Sequence, residues 1–223
     1  MAGHGRGAKP ERAPLNRDRV VAAAVAVADE KGTASGATMR AIAARLNVEA
    51  MSLYNHVSGR DDILDGMVDA VFGEIDLPEP GTPWKQAMHD RAASSRAALL
   101  RHPWAVGLMD SRNRPGPNTL RHHDAVLGSL RAGGFSVPMA GHAFSLLDSY
   151  IYGFVIQEVS LPVVPEDDFD EIANEILRYI PAEDLPHLAE FMAHHILTPG
   201  YAFADEFEYG LALILDTLRP DET

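Results

Sequence analysis

Apolar positions recur three and four residues apart through most of the chain, the spacing of one face of an α-helix. In residues 16–31 that face is Val20, Ala23, Ala24 and Val27, and the segment stops at Gly32, so it predicts a first helix. Thr38 is an N-cap residue ahead of a short stripe of Ile42, Ala43 and Leu46, which predicts a second helix closing at Asn47. Asn tolerates the left-handed conformation that a tight turn demands, and Val48 is placed to plug the gap before a third helix from about Glu49 to Val57. Ser58 with Asp61 forms an S-x-x-D cap for a fourth helix, Gly59 to about Asp76, with Ile63, Leu64, Met67, Val71 and Ile75 on one face. "LPEPGTP", Leu77 to Pro83, then marks a boundary.

Beyond the boundary every periodic segment still reads as helix: about 83–101, 103–111, 117–132, 137–160, 167–179, 183–197 and 203–218, with Pro or Gly near most junctions. No strand with a credible partner, internal repeat or coiled-coil heptad run is visible. The expected fold is all-α. It comprises a disordered arm at 1–14, a head at 15–76 and a larger helical domain at 83–223.

Charge changes this picture. The chain carries −13, which by itself opposes contact with a phosphate backbone. Residues 1–60, however, hold nine Lys or Arg against five Asp or Glu, so the remainder holds −17. A basic head on an acidic body fits one part that touches a polyanion and another that does not; a merely solvated face with a basic tail would give the same count. The chain has no Cys, which removes disulfides and thiolate chemistry and fits a reducing cytoplasm. Residues 1–14 lack the apolar stretch of a secretion signal. The most apolar window, about 136–160, is broken by His142, Asp148, Gln157 and Glu158, so no membrane span is expected.

The second and third helices are joined by a turn so short that they must cross steeply, with Ile42, Leu46, Val48 and Leu53 spaced to fill the angle. This is helix-turn-helix spacing, in which the second helix projects and a major groove can admit it. Small residues at Ala50 and Ser52 would let that helix approach base edges. Tyr54 and His56 could hydrogen-bond phosphates, and Arg60 adds a charge at the next helix start. A plain helical hairpin with its tyrosine packed inside would show the same spacing.

Other candidate chemistry is weaker. The histidine pairs His122-His123 and His194-His195 are adjacent in sequence, so their side chains point about 100° apart on a helix and neither pair can chelate one ion as an i, i+4 pair does. No nucleophile elbow or phosphate loop is present. The carboxylate pairs Asp61-Asp62, Asp167-Asp168 and Asp205-Glu206 sit at predicted helix starts, where the helix dipole favours them.

The stretch "ATMRAIAARLNVEAMSLYNHVSGRDDIL" resembles the DNA-binding head of the tetracycline-repressor (TetR) family: Thr-x-Arg, Ile-Ala, a turn followed by Val, small-x-Tyr-x-His, then a basic residue opening the next helix. "LLRHPW", "GPNTLRHHDAVLGSLRAGGFS" and "FEYGLALILDTL" are similar to body segments of the branch with a tetracycline-repressor-like C-terminal domain. The resemblance implies that Thr38, Tyr54, His56 and Arg60 hold the DNA backbone while Arg40, Ala50, Met51 and Ser52 face base edges. Four positions depart from the family pattern: Asn47 for the usual Gly, Arg60 for the commoner Lys, and apolar Ala50 and Met51 where polar or stiffening residues are usual. With Ala50 and Met51, base reading there should rest on apolar contact.

Two further expectations concern the body. Residues 137–160 are apolar nearly all round. Residues 203–218 present Phe207, Leu211, Ile214, Leu215 and Leu218 on one side and Gly210, Leu213 and Thr217 on another. A helix with two apolar faces needs a partner for the second, so these two helices are expected to pair in a homodimer. Met88, His102, Trp104, Met109, Phe144, Asp148, Tyr152 and Gln157 mix soft or aromatic surface with polar groups in apolar helices, the lining of an effector cavity. Met and aromatic residues also serve plain cores, and Asp148 could pair within the dimer interface. No cofactor or resident metal is expected, although the resemblance leaves open a metal-chelated ligand at a body histidine such as His102. The reading is a cytoplasmic, homodimeric regulator: a repressor released from a near-palindromic double-stranded DNA operator by a small-molecule effector. The alternative is a helical-bundle enzyme or a small-molecule-binding protein that does not bind DNA.

Overall fold

The computed structural model describes residues 14–161, 169–198 and 200–221. The arm up to residue 13 and the Asp167-Asp168 pair lie outside the described residues. Ten α-helices follow in order among them: α1 (Arg17–Lys31), α2 (Met39–Leu46), α3 (Ala50–Leu53), α4 (Arg60–Phe72), α5 (Trp84–Arg101), α6 (Pro117–Ala132), α7 (Val137–Ser160), α8 (Phe169–Tyr179), α9 (Pro186–Phe191) and α10 (Glu206–Thr217). No strand occurs among the described residues, and the fold is all-α as expected.

Local signals set the helix ends. The Asn16 side chain accepts from Arg19 N at 2.9 Å and starts α1. Thr38 Oγ1 accepts from Ala41 N at 3.2 Å and starts α2. Asn47 closes α2 in the left-handed region, φ 53° and ψ 54°, so that Val48 N–H can reach back to Ala43 O at 3.0 Å. The chain thereby turns within two residues, and α3 packs against α2, with Ile42 and Leu53 both fully buried.

Several boundaries differ from expectation. The third helix is α-helical only over Ala50–Leu53; its next turn tightens, with His56 N bonded to Leu53 O at 2.9 Å, the three-residue spacing of a 3₁₀ turn. The Ser58 cap also runs the other way. Asp62, not Asp61, takes part, and its carboxylate accepts from Ser58 N at 2.9 Å while also pairing with Arg17. The fourth helix ends at Phe72 rather than near Asp76, and 103–108 forms a 3₁₀ helix behind Pro103 instead of an α-helix to residue 111. Residues 192–196 form a π turn after a short α9.

In the head, α4 packs on α1, with Val20, Ala24, Val27, Ile63, Met67 and Val71 at their interface and in the adjoining core. The body packs α5, α6, α7 and α10 around Leu99, Leu130, Leu147, Ile151, Phe207 and Leu211, each fully buried. Helix α4 belongs to both, since it also packs on α6. Gly116 makes that approach possible: a Cβ there would lie 2.3 Å from Asp69 Cγ. The Asp69 carboxylate accepts from Thr119 N at 2.9 Å and Thr119 Oγ1 at 3.0 Å, so a residue of α4 caps the first turn of α6.

The left-handed turn at Asn47 gives a direct test. Replacement by Gly should leave stability unchanged or slightly raised, whereas Asn47→Val should destabilise by about 1–2 kcal/mol, measured by denaturant unfolding followed by circular dichroism.

Candidate functional site

The first candidate site is the outer face of the head. Thr38, Arg40, Met51, Tyr54 and Arg60 are exposed, and Ala50, Ser52 and His56 are half-buried. Thr38 spends its hydroxyl on the α2 cap, which fixes its position at the helix start. Met51 is 75% and Tyr54 50% exposed. The tyrosine is therefore not packed inside, as a plain hairpin would have it, while Leu53 between them is fully buried and anchors α3 to the core. The eight residues singled out from sequence lie along α2, the projecting α3, its tightened last turn and the start of α4.

The second candidate site is in the body, and here the structure divides the expected residues. Phe144, Asp148 and Tyr152 come together on α7. Asp148 is paired with Arg91 of α5 within the same chain, not across a dimer interface. The Phe144 ring lies 5.2 Å from that of His123 and 5.5 Å from the Arg91 guanidinium carbon. Burial raises the Tyr152 phenol above its ordinary pKa, reinforced by the adjacent Asp148 carboxylate. Met109 joins this group through a cavity of about 170 Å³ lined by Val68, Met109, Thr119 and His123 among others. Met88 is fully buried in the core.

The remaining three residues are placed elsewhere. Gln157 is exposed, its amide donating to Gly153 O at 3.4 Å. His102 bridges the head and the body: Nδ1 lies 2.8 Å from Asp29 Oδ1 at the end of α1, and Nε2 lies 3.1 Å from Glu74 Oε1 just past α4. Trp104 Nε1 donates to the same Asp29 oxygen at 2.7 Å. Both ring nitrogens of His102 thus meet carboxylates, and the residue serves this junction.

Sequence reasoning missed Arg91, Ser95 and the role of His122 and His123. Arg91 is 2% exposed, Ser95 1% and His122 0%. The signal was present in α5, where Ala87, Met88, Arg91, Ala92, Ser95, Ala98 and Leu99 form the buried stripe and one of them is an arginine. Arg91 Nε donates to His122 Nε2 at 3.1 Å, and Phe72 of α4 packs its ring 5.3 Å from His122 and 5.4 Å from His123. Burial, then the Arg91 charge, lowers the His122 pKa to about 3, and burial lowers that of His123 as well. Burial raises Asp148 above the usual carboxylate range against the opposing pull of Arg91.

Comparison with known proteins accounts for this architecture. The family model of the tetracycline-repressor-like C-terminal domain matches residues 77–220. The HTH-type transcriptional repressor DrrR1 of Streptomyces coeruleorubidus is 36% identical over 226 aligned positions, covering 96% of this chain and 82% of that protein. The chain belongs to the tetracycline-repressor family. As a member it is a DNA-binding transcriptional regulator of the ligand-responsive, repressing kind, and the enzyme alternative is not favoured. An HTH-type transcriptional regulator of Saccharopolyspora erythraea is 41% identical over 145 residues, which cover 65% of this chain and 61% of that relative's length. Among solved structures, ActR of Streptomyces coelicolor in complex with actinorhodin superposes with a TM-score of 0.77 at 27% identity, covering 93% of this chain and 96% of ActR. Regulators of this family bind operators and small molecules and act as dimers. No helix among the described residues is long and apolar enough to cross a membrane.

The buried imidazole makes a pH prediction. Below about pH 6.5 the unfolded chain protonates His122, while the folded ring stays neutral until near pH 3, so stability falls as the pH drops through that window. Between pH 7 and 5 the wild type should lose roughly 2 kcal/mol more unfolding free energy than His122→Gln, measured by urea titration.

Proposed function

We propose that the chain is a homodimeric repressor whose α3 enters the major groove of a near-palindromic operator and which leaves that operator when a small organic molecule occupies the body. The observation that carries the DNA reading is the exposure of Met51 and Tyr54 on a helix whose intervening Leu53 is buried. A helix held by one side chain and presenting a thioether and a phenol outward is built for an external surface. Ala50, Met51, Ser52 and Arg40 would meet base edges, and Thr38, Tyr54, His56 and Arg60 the phosphates.

Dimerisation is supported by apolar surface on two neighbouring helices of the body. Leu146, Ile156 and Val159 of α7 and Tyr209 and Leu213 of α10 are exposed, while Phe207, Leu211 and Leu215 on the other side of α10 are buried. Pairing α7 and α10 with their symmetry mates covers these faces and sets two α3 helices about one DNA turn apart, ~34–36 Å.

The effector reading rests on the body site around Met109, Phe144, Asp148 and Tyr152, extended by Arg91 and His123. ActR, similar over nearly the whole chain, holds actinorhodin. Helix α4 is placed to report occupancy, because it carries Arg60 at one end and Phe72 against the two histidines at the other. A ligand releases DNA only by binding the operator-incompatible dimer more tightly than the operator-fitting one.

Genomic fragments selected on the immobilised protein supply the operator. On it, Arg60→Ala should weaken binding to all sequences alike and reduce the slope of log K against log salt by roughly one, whereas Ser52 and Arg40 substitutions should change the preferred sequence. Leu213→Glu should give a folded monomer by light scattering with greatly weakened operator binding. Duplex binding that shows neither salt dependence nor sequence preference would overturn the reading.

A further inference from the structure

We infer that Glu49 reads a base: its carboxylate accepts a hydrogen bond from the exocyclic amine of a cytosine in each half of the operator. This rests on the DNA reading above and names one base that the head selects.

Between Thr38 and Val57, the unit that meets DNA on that reading, Glu49 is the only acid. It is exposed and stands at the N-cap of α3 in extended conformation, φ −73° and ψ 140°. Its side chain does not cap the helix. The backbone does so instead, Glu49 O accepting from Ser52 N at 2.9 Å. Arg45, the nearest basic residue in sequence, is committed to Glu30 of α1. Other acids around the head have uses within the chain, since Asp29 accepts from Trp104 and Asp62 pairs with Arg17. The Glu49 carboxylate has no hydrogen bond or ion pair among the described residues.

An unpaired carboxylate on a surface that meets phosphates weakens binding, by repulsion and, once water is displaced, by desolvation. A hydrogen-bond donor on the DNA offsets both. In helix-turn-helix units the N-terminal residues of the recognition helix contact base edges, and here these are Glu49, Ala50, Met51 and Ser52. Ala50 and Met51 carry neither an N–H, an O–H nor an oxygen in their side chains. Glu49 is thus the one charged acceptor where the helix begins, and the small Ala50 beside it permits close approach.

The chemistry of the base edges selects cytosine. The major groove offers two donors, N6 of adenine and N4 of cytosine. Adenine sets its N7 lone pair beside the donor, where it repels the second carboxylate oxygen. The cytosine edge carries the N4 amine alone. Guanine and thymine present acceptors only and repel both oxygens. Glutamine in place of Glu49 would favour adenine, because an amide pairs with N6 and N7 together.

The test uses the full-length protein and the operator selected from genomic fragments. Each base pair of the half-sites is replaced symmetrically by the other three, and affinity is read by fluorescence anisotropy. At one position the wild type should favour cytosine about tenfold or more over any other base. Glu49→Gln should move the preference there to adenine and leave the other positions as they were. Glu49→Ala should reduce discrimination there to within about twofold and bind unrelated duplex roughly threefold tighter, because a repelling charge is gone. The residue is exposed, so both variants should fold, which circular dichroism checks. Identical base preferences in all three proteins would show a solvated charge that only repels, and would overturn the inference. So would a Glu49-dependent preference for any base other than cytosine. Failure of the DNA reading would look different: none of the three proteins would bind duplex with salt dependence or sequence preference.

Discussion

A guanidinium cannot be neutralised, and this chain places one at the centre of its body. Arg91 is almost entirely removed from water, so its desolvation must be offset from within. Asp148 supplies the countercharge from α7, His122 supplies an acceptor from α6, and the Phe144 ring faces its guanidinium carbon at 5.5 Å. Three helices are thus committed to one side chain, and their mutual register is specified by polar geometry as well as by apolar packing. An apolar core of the same volume would be easier to build.

Helix α4 turns that local arrangement into a property of the whole molecule. Its Phe72 packs against both His122 and His123, its Asp69 caps α6, its Asp65 pairs with Arg112, and the chain just beyond it offers Glu74 to His102. At its other end stands Arg60, beside the recognition turn. The His102 and Trp104 contacts to Asp29 tie the end of α1 to the same structure. On the proposed effector reading, a small displacement of α6 or α7 bears directly on α4, the helix that follows α3. Interfaces of packed side chains shift between discrete arrangements, and in the proposed repressor such a shift would carry a small change in the body to the two α3 helices of the dimer.

Much of the fold was legible beforehand. The limits of α5, α6 and α7 are marked by Pro, Gly and Ser at the expected positions, and the turn at Asn47 follows from one residue able to adopt φ 53°. The head candidates were legible as a motif, because their spacing within about twenty-five positions is itself the pattern. The extent of the third helix was not. Its terminal turn tightens under constraints from Leu53 and Val57, both buried against other helices, which no local propensity expresses.

The body site was read only in part, for a physical reason. Phe144, Asp148 and Tyr152 share one helix, and their four-residue spacing announces a common face. Arg91, His122 and Asp148 lie on three helices and acquire meaning only from one another: an arginine on an apolar stripe is an anomaly until its acceptor and countercharge are known. His102 and Trp104 looked like cavity lining because residue type alone does not say whether a polar group faces inward or toward a neighbouring domain; Asp29, more than seventy positions earlier, decides that. Short-range pattern and charge distribution thus determined the class of fold, the recognition unit and the division of labour along the chain. Tertiary packing alone decided which buried polar atoms meet and which are left unpaired, since desolvation is a property of the assembled core and not of any segment of it.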